Sequence, residues 1–269
     1  MLGMPLLGRI CRESYNHPLA VYETLKARGM DLVTVTDHDS IDAAEALRSK
    51  PDFFLSEEVT AVMPGGTAIH VGVYGITDRQ HCEMQARRND VSSLIAYLNE
   101  QRLTFSLNHA FSGLTGRRMQ RDFNFFAVRF PAIETLNGHM LRSANVSAAA
   151  FAAQWRKIVV GGSDGHTLHS LGRTYTEISG ARDARDFLGR LRLGHSRAYG
   201  ESGSFLRMTR VAESVGCYMV RERPWTAALF PLLFVIPFVT FANYIAEVVF
   251  NYRWSRRAER VGATPDLAL

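Results

Sequence analysis

Imidazole and carboxylate side chains recur in short polar turns, and each of these turns lies in or directly after a run of apolar residues. The first turn is Asp37-His38-Asp39-Ser40, which follows the apolar residues 32–35. The later members of the set are Glu57 or Glu58, His70, His109, Asp164 and His166. Imidazoles and carboxylates together suit Zn²⁺, Mn²⁺ or Fe²⁺. A set without cysteine indicates a catalytic metal site rather than a structural one.

Each of these residues also has an ordinary explanation when it is taken alone. The first turn could be an Asx turn and helix cap, with Asp39 or Ser40 as the N-cap. His70 could be a hydrogen-bonded histidine of the core, and Asp164 could be a turn former after glycines. A shared site is favoured because all of them fall at the C-terminal ends of successive predicted strands. This is where α/β barrels have their catalytic residues.

The elements that would position these residues alternate between strands and helices. Strands are predicted at residues 32–35, 53–55, 59–62, 68–74, 103–107, 132–136, 158–160 and 174–178. Helices are predicted at residues 18–28, 41–48, 91–102, 143–155 and 184–193. This alternation implies parallel βαβ units and, at 269 residues, a barrel or a doubly wound sheet. The glycine motifs of dinucleotide-binding and P-loop proteins are absent from the sequence.

Composition narrows the class of protein further. Cys11, Cys82 and Cys217 are scattered, which indicates reduced thiols and argues against a thiolate zinc site. The net charge is +5, but no basic run is interleaved with aromatic residues and no helix-turn-helix pattern is present. Specific binding to duplex nucleic acid is therefore not expected.

The polar turns, read in order, resemble the successive motifs of a known superfamily. They are Thr36-Asp37-His38-Asp39-Ser40, Glu57-Glu58-Val59-Thr60, Ile69-His70-Val71, Asn108-His109 and Gly162-Ser163-Asp164-Gly165-His166-Thr167. Together they resemble the PHP (polymerase and histidinol phosphatase) superfamily over about residues 10 to 200. The resemblance implies an α/β fold, a distorted TIM-like (βα)₇ barrel, with a trinuclear metal site at the strand C-termini.

The resemblance also implies a reaction. A metal-activated hydroxide would hydrolyse a phosphomonoester or phosphodiester, and two or three Mn²⁺, Zn²⁺ or Fe²⁺ ions would be the cofactors. The partner would be a phosphorylated small molecule or a nucleotide. The metal ligands that it implies within the motifs are His38, Glu58, His70, His109, Asp164 and His166. Glu58 is preferred to Glu57 because it directly precedes the Val-Thr that follows the family's glutamate.

Further residues are given roles by the same resemblance. Asp37 would orient an imidazole. Asp164 or a nearby imidazole would accept and donate protons during hydrolysis. Arg173 would either hold a phosphate or be a surface arginine on a turn. Glu134 and Asn137 match a stretch of the family that lies near the site.

One departure from the family concerns the first motif. The family begins with a strand ending in His-x-His, whereas residues 1–16 contain no histidine. Glu13 falls where the family often has an aspartate ligand, and it joins the predicted metal ligands. Either the motif lies upstream of a misplaced start, or the site is reduced and the domain is a non-catalytic module that binds a phosphorylated ligand or partner. A hydrolase of C–N bonds, of the amidohydrolase type, ranks third because no lysine falls at a predicted strand C-terminus.

The C-terminal part of the sequence contains an apolar run at residues 225–250. Its length fits a bilayer span, and Trp225, Tyr252, Trp254 and several arginines flank it. Pro231 and Pro237 leave a single span or a helical hairpin open. The predicted organisation is a metal hydrolase domain at 1–200, a linker helix at 201–224, a membrane segment at 225–250 and a basic tail at 251–269. The predicted location is the inner or plasma membrane, with the catalytic domain in the cytoplasm.

Overall fold

The computed structural model of the chain describes residues 14–113 and 116–258, with the side chains of 228–233 left aside. The predicted ligand Glu13 lies outside the described residues. The strands are β1 Ser56–Val62, β2 Ala68–Tyr74, β3 Thr104–Leu107, β4 Ala132–Asn137, β5 Ile158–Gly162, β6 Thr174–Glu177 and β7 Arg197–Gly200. The helices are α1 Pro18–Ala27, α2 Asp42–Glu45, α3 Asp78–Arg87, α4 Val91–Glu100, α5 Gln120–Arg129, α6 Arg142–Gln154, α7 Ala184–Arg192, α8 Phe205–Glu222 and α9 Ile236–Ala258. A 3₁₀ segment, Pro224–Val235, lies between α8 and α9.

The first five strands form one sheet in chain order, and β6 and β7 form a separate pair. β1 pairs with β2, and β2 with β3, in antiparallel register, whereas β3, β4 and β5 run parallel to one another. The antiparallel start follows from the turn after β1, because a turn at Pro64-Gly65-Gly66 is too short for the crossover that parallel strands need. β6 and β7 are antiparallel.

The predicted closed (βα)₇ barrel is therefore wrong for the part of the chain that the structure describes. The fold is α/β, but the five strands form an open, mixed sheet rather than a closed barrel. The strand predicted at 32–35 is reduced to an extended segment with two isolated parallel bridges, Val33 to Phe53 and His38 to Glu58. This segment runs alongside the edge of β1 and brings the turn that holds His38 to the sheet.

Local sequence signals account for most of the helix boundaries. α1 begins at Pro18 and ends before Gly29, whose φ of 81° is accessible to glycine without strain. α3 begins with a capping box between Thr77 and Gln80, and the Asp90 carboxylate caps α4 by accepting the Ser92 N–H. Neither α3, α5 nor β7 is predicted from the sequence.

Aromatic side chains form much of the core beneath the sheet. Phe105, Phe111, Phe123, Phe126 and Phe130 are all fully buried. The C-terminal helix joins this core, because Trp254 of α9 stacks on Phe123 with a centroid distance of 5.4 Å. α8 occupies most of the segment predicted as a linker helix.

The prediction of a membrane segment at 225–250, and with it the membrane-associated location, is wrong. Among the described residues, no helix combines the length and the apolar character that crossing a bilayer requires. The apolar run is divided between the 3₁₀ segment and α9, and α9 buries Thr240, Glu247 and Asn251 against the rest of the protein. Asn251 Nδ2 donates to Ser147 Oγ of α6 at 3.3 Å, and the Thr209 and Thr240 hydroxyls lie 2.8 Å apart.

Candidate metal centre

Two residues of the site, Glu58 and His70, lie on one face of the β1–β2 hairpin. In the antiparallel register Glu58 lies opposite Gly72, and Thr60 lies opposite His70. Alternate residues of a strand share a face, so Glu58 and His70 point to the same side of the sheet. The adjacent Glu57 points to the other side, where it is fully buried and bonded to His81 at 2.7 Å.

Three predicted ligands, all histidines, converge around the carboxylate of a fourth, Glu58. Its Oε2 lies 3.3 Å from His38 Nδ1 and 3.7 Å from His70 Nδ1, and its Oε1 lies 3.6 Å from His109 Nε2. His70 Nδ1 and His109 Nε2 are 3.0 Å apart. One ligand atom each from His38, Glu58 and His70 falls within 4.8 Å of the others, which is compact enough for all three to share an ion.

A second group surrounds Asp164, which follows β5. His166 Nδ1 is 4.0 Å from Asp164 Oδ1, and the Asn137 amide donates to Asp164 Oδ2 at 3.1 Å. The same Asn137 amide nitrogen donates to Glu134 Oε2 at 3.0 Å, and Glu134 Oε2 also accepts the backbone N–H of His109 at 2.9 Å. Glu134 and Asn137 therefore connect the Asp164 group to the Glu58 group.

His139 belongs to this second group and is missing from the sequence prediction. Its ring lies 5.4 Å from that of His166, and Asp164 and His166 are among the charges that act on it. The Asn137 side chain fixes its backbone by accepting the His139 N–H at 2.8 Å. Its position directly after Asn137-Gly138 at the end of β4 is a signal that could have identified it.

A chain of hydrogen bonds holds the Glu58 carboxylate in place. The Asn108 amide donates to Glu58 Oε1 at 2.7 Å, and the Ser106 hydroxyl donates to Asn108 Oδ1 at 2.7 Å. The Tyr74 hydroxyl lies 2.8 Å from Ser106 Oγ. This chain passes over Gly72, where an added Cβ would lie 2.6 Å from the Tyr74 hydroxyl and 3.0 Å from Asn108 Oδ1. Gly72 thus makes room for the side chains that orient Glu58.

Backbone strain is concentrated at the turns of the site. Asp39, His109 and Asp164 have φ values of 54°, 30° and 45°, which are uncommon for residues with a Cβ. At Asp39 the conformation is held by pairing with β1, because its N–H donates to the Glu58 carbonyl and its carboxylate accepts the Thr60 N–H. Ile41 occupies the N-cap position of α2, but the Ser40 hydroxyl accepts the N–H of Asp42, the first residue of that helix, at 3.1 Å.

The electrostatics of the first group reflect burial and close packing. Burial alone would raise the pKa of Glu58, but the close contact with His109 and the nearby imidazoles of His70 and His38 outweigh it and lower that pKa. Burial lowers the pKa of His70 to about 4. Burial also acts to lower the pKa of His109, but the adjacent Glu58 carboxylate raises it to about 9.

Two further residues are predicted to take part in the site. The Asp37 side chain is exposed at the cleft, and its backbone carbonyl accepts the Glu58 N–H at 3.2 Å. The Arg173 guanidinium lies 3.4 Å from Glu201 Oε2 and donates to the His169 carbonyl at 3.0 Å. The roles predicted for both residues stay predictions.

The site opens into a broad cleft with a volume of about 1040 Å³. His38, Glu58, Asp164 and His166 line its polar end. The other lining residues include apolar side chains such as Val33, Val35, Phe54, Val160 and Phe187, together with polar ones such as Arg28 and Arg182.

The donor set of the first group fits a divalent transition metal ion. Imidazole nitrogens and a carboxylate oxygen are ligands that Mn²⁺, Fe²⁺ and Zn²⁺ accept. His70 and His109 direct ring nitrogens at each other across 3.0 Å, which demands a proton unless a cation takes its place. In addition, His109 Nδ1 is buried and has no hydrogen-bond partner among the described residues.

Comparisons with known proteins agree with an α/β fold of this type. Residues 142–196 match the sequence model of a family described as PHP-associated, so the match is local and runs from the start of α6 to the residue before β7. A search of curated protein sequences finds no relative of the chain.

Two solved structures are similar in fold. PsfC from Pseudomonas syringae PB-5123 aligns with a TM-score of 0.51 at 18% identity, over 75% of this chain and 88% of that chain. A protein from Bifidobacterium adolescentis, provisionally named a metal-dependent phosphoesterase, aligns with a TM-score of 0.50 at 13% identity, over 68% of this chain and 92% of that chain. At these identities the likeness establishes the fold alone.

Proposed function

We propose that the protein is a metal-dependent hydrolase of phosphate esters. The observation that carries the proposal is the convergence of His38, His70 and His109 on the Glu58 carboxylate at the polar end of an open cleft. The local match to a PHP-associated family and the name of the Bifidobacterium adolescentis protein support this class of reaction. The substrate would be a phosphorylated small molecule or a nucleotide.

The residues of the site would bind at least two metal ions. His38, Glu58, His70 and His109 would hold one ion, and Asp164 and His166 would contribute to the binding of another. Bound divalent ions would supply Lewis acidity toward phosphoryl oxygens and lower the pKa of water. Asn108 fixes the direction of Glu58, and Glu134 fixes the backbone of His109, so the ligand atoms are held close together before a cation binds.

Asp37, which lines the cleft, and Arg173 also have proposed roles. Asp37 would orient an imidazole, and Arg173 would bind a non-reacting phosphate oxygen. Because Arg173 is already close to Glu201, it would have to exchange that ion pair for the substrate phosphate. Arg173→Lys keeps the charge but loses the planar guanidinium, so an increase in KM with little change in kcat would support this role.

The test of the proposal is turnover of an aryl phosphate monoester and an aryl phosphate diester by the full chain with Mn²⁺ or Zn²⁺. Turnover should be lost in Glu58→Gln, His70→Ala and Asp164→Ala. Glu57→Gln is the matched control, because Glu57 is adjacent in sequence but lies on the opposite face of β1. Equal activity in Glu58→Gln and the unaltered protein would refute the assignment of the site.

A second candidate function is a module that binds a phosphorylated ligand without hydrolysing it. This candidate is motivated by the departure from the first motif of the PHP superfamily, because residues 1–16 contain no histidine. Metal analysis and phosphate binding separate the two functions. A protein that binds both Mn²⁺ and inorganic phosphate, loses this binding when Glu58 and Asp164 are replaced, and turns over neither ester would favour the binding module.

A further inference from the structure

The two sides of α9 differ in an unusual way. The side that packs on the rest of the protein buries Thr240, Glu247 and Asn251, together with Trp254 and Ala258. The side that faces outward is apolar: every exposed position from 238 to 252 is an aliphatic residue, a phenylalanine or Tyr252. A surface helix usually places its apolar side inward. This inverted arrangement indicates that something covers the outer side.

The exposed side chains on this outer side are large. They are Phe234, at the end of the 3₁₀ segment, at 75%, and, on α9, Phe238 at 75%, Val239 at 38%, Phe241 at 54%, Ile245 at 43%, Val248 at 38%, Val249 at 60% and Tyr252 at 60%. Ala242 and Ala246 lie between them and are also exposed. We call this set the α9 stripe. A contiguous apolar patch of this kind on a protein surface marks an interaction site.

The spacing of the α9 stripe specifies what would cover it. Phe238, Phe241, Ile245, Val248 and Tyr252 follow one another at intervals of three, four, three and four residues. This alternation is the spacing of side chains that pack between two helices lying nearly parallel or antiparallel to each other. The small residues Ala242 and Ala246 would allow the two helix backbones to approach closely. The stripe therefore fits a partner helix.

We infer that this partner helix is α9 of a second copy of the chain, and that the protein is a dimer through the α9 stripe. The area supports a dimer, because four aromatic rings at these exposures alone present roughly 500 Å². With Ile245, Val248 and Val249 the stripe approaches the ~800 Å² per partner of a standard interface. A two-fold interface needs the same patch on both subunits, and one uncharged stripe meets that requirement.

The inference is tested by sedimentation equilibrium of the full chain, with two variants matched in exposure. Val249→Glu places a charge in the stripe, whereas Val128→Glu makes the same change on α5, where Val128 is 59% exposed. The unaltered protein and Val128→Glu should be dimers. Val249→Glu should raise the dissociation constant by ~100-fold or more, since two glutamates would be buried without partners. Circular dichroism establishes that both variants are folded.

A cross-linking experiment gives a second measurement that does not depend on disrupting the interface. In a background with the natural cysteines replaced by serine, Ile245→Cys should form a disulfide-linked dimer on mild oxidation, and Val128→Cys should not. A monomeric unaltered protein would overturn the inference, as would a dimer that Val249→Glu leaves intact. Binding of the monomer to anionic phospholipid vesicles, abolished by Val249→Glu, would overturn it in favour of a lipid surface.

Discussion

Glu247 of α9 accepts the backbone N–H of Gly113 with both carboxylate oxygens, at 3.0 Å and 3.2 Å. Gly113 directly follows a turn that is anchored to the site, because the Ser112 N–H donates to the His109 carbonyl at 3.0 Å. Glu247 is 7% exposed and Ser112 is fully buried. α9, most of which lies in the segment predicted to cross a membrane, thus supports the backbone near His109, a proposed metal ligand.

Replacing Glu247 by alanine is expected to destabilise the protein by about 1–3 kcal/mol, because the N–H of Gly113 would lose its acceptor in a partly buried place. Glu247→Gln retains one acceptor oxygen and should cost less. Urea unfolding measures both free energies. Mn²⁺ affinity should also fall in Glu247→Ala as the turn after His109 loosens, and equal stability of the two variants would contradict the assigned role of this carboxylate.

Stability should depend on pH through the same carboxyl group. Burial raises the pKa of Glu247 above its ordinary value of 4.5. Between 4.5 and the raised value, the folded state binds more protons at this group than the unfolded state does. The stability of the unaltered protein relative to Glu247→Gln should therefore fall as the pH rises through that interval. Urea unfolding of both proteins across a pH series checks the sign, and a difference that grows with pH would disprove it.

Metal binding should distinguish two adjacent glutamates. Glu58→Gln is expected to weaken the binding of Mn²⁺ or Zn²⁺ by more than ~100-fold, since loss of supporting contacts alone typically costs 10–100-fold. Glu57→Gln should leave the affinity nearly unchanged, because Glu57 bonds His81 on the far side of the sheet. Titration calorimetry of the metal-stripped protein measures both. Equal losses in the two variants would mean that the hairpin does not present Glu58 as described.

Gly72→Ala should weaken metal binding by way of Asn108. The added methyl group would lie 2.6 Å from the Tyr74 hydroxyl and 3.0 Å from Asn108 Oδ1, so the amide that holds Glu58 would have to move. Gly189→Ala in α7 is the control, because its Cβ would meet no atom within 4 Å. That control should stabilise the protein by ~0.5–1 kcal/mol, as alanine does in helix interiors. Calorimetric titration with Mn²⁺ and thermal unfolding separate the two effects, and unaltered affinity in Gly72→Ala would be evidence against the role of Asn108.

The sequence predicts the individual elements better than their arrangement. β2 is predicted at its observed bounds, and α4, β4 and α6 differ by at most two residues, because their hydrophobic periods and caps are local signals. The α/β class follows from the same signals. The antiparallel hairpin could have been predicted, since the strands predicted at 59–62 and 68–74 leave only five residues, with Pro64-Gly65-Gly66 among them, which is too few for a parallel crossover. Whether a sheet closes depends on contacts between distant segments, which local periodicity does not encode.

Within the candidate site, the motif residues were predictable, but their grouping was not. His38, Glu58, His70 and His109 lie together, while Asp164 and His166 form a neighbouring group that includes the unpredicted His139. The apolar run at 225–250 misled the prediction because its length and composition fit a membrane span. Only the structure places Glu247 of that run against the turn after β3, and Asn251, which directly follows the run, against α6.

The position of Glu57 and Glu58 on opposite faces of β1 has a consequence for refolding. If β1 paired with β2 one residue out of register, Glu57 would point toward the imidazoles and Glu58 toward His81. Circular dichroism would barely distinguish such misaligned molecules from correctly aligned ones. The fraction of refolded chains that bind Mn²⁺ tightly would therefore equal the fraction in which β1 and β2 have paired in the native register.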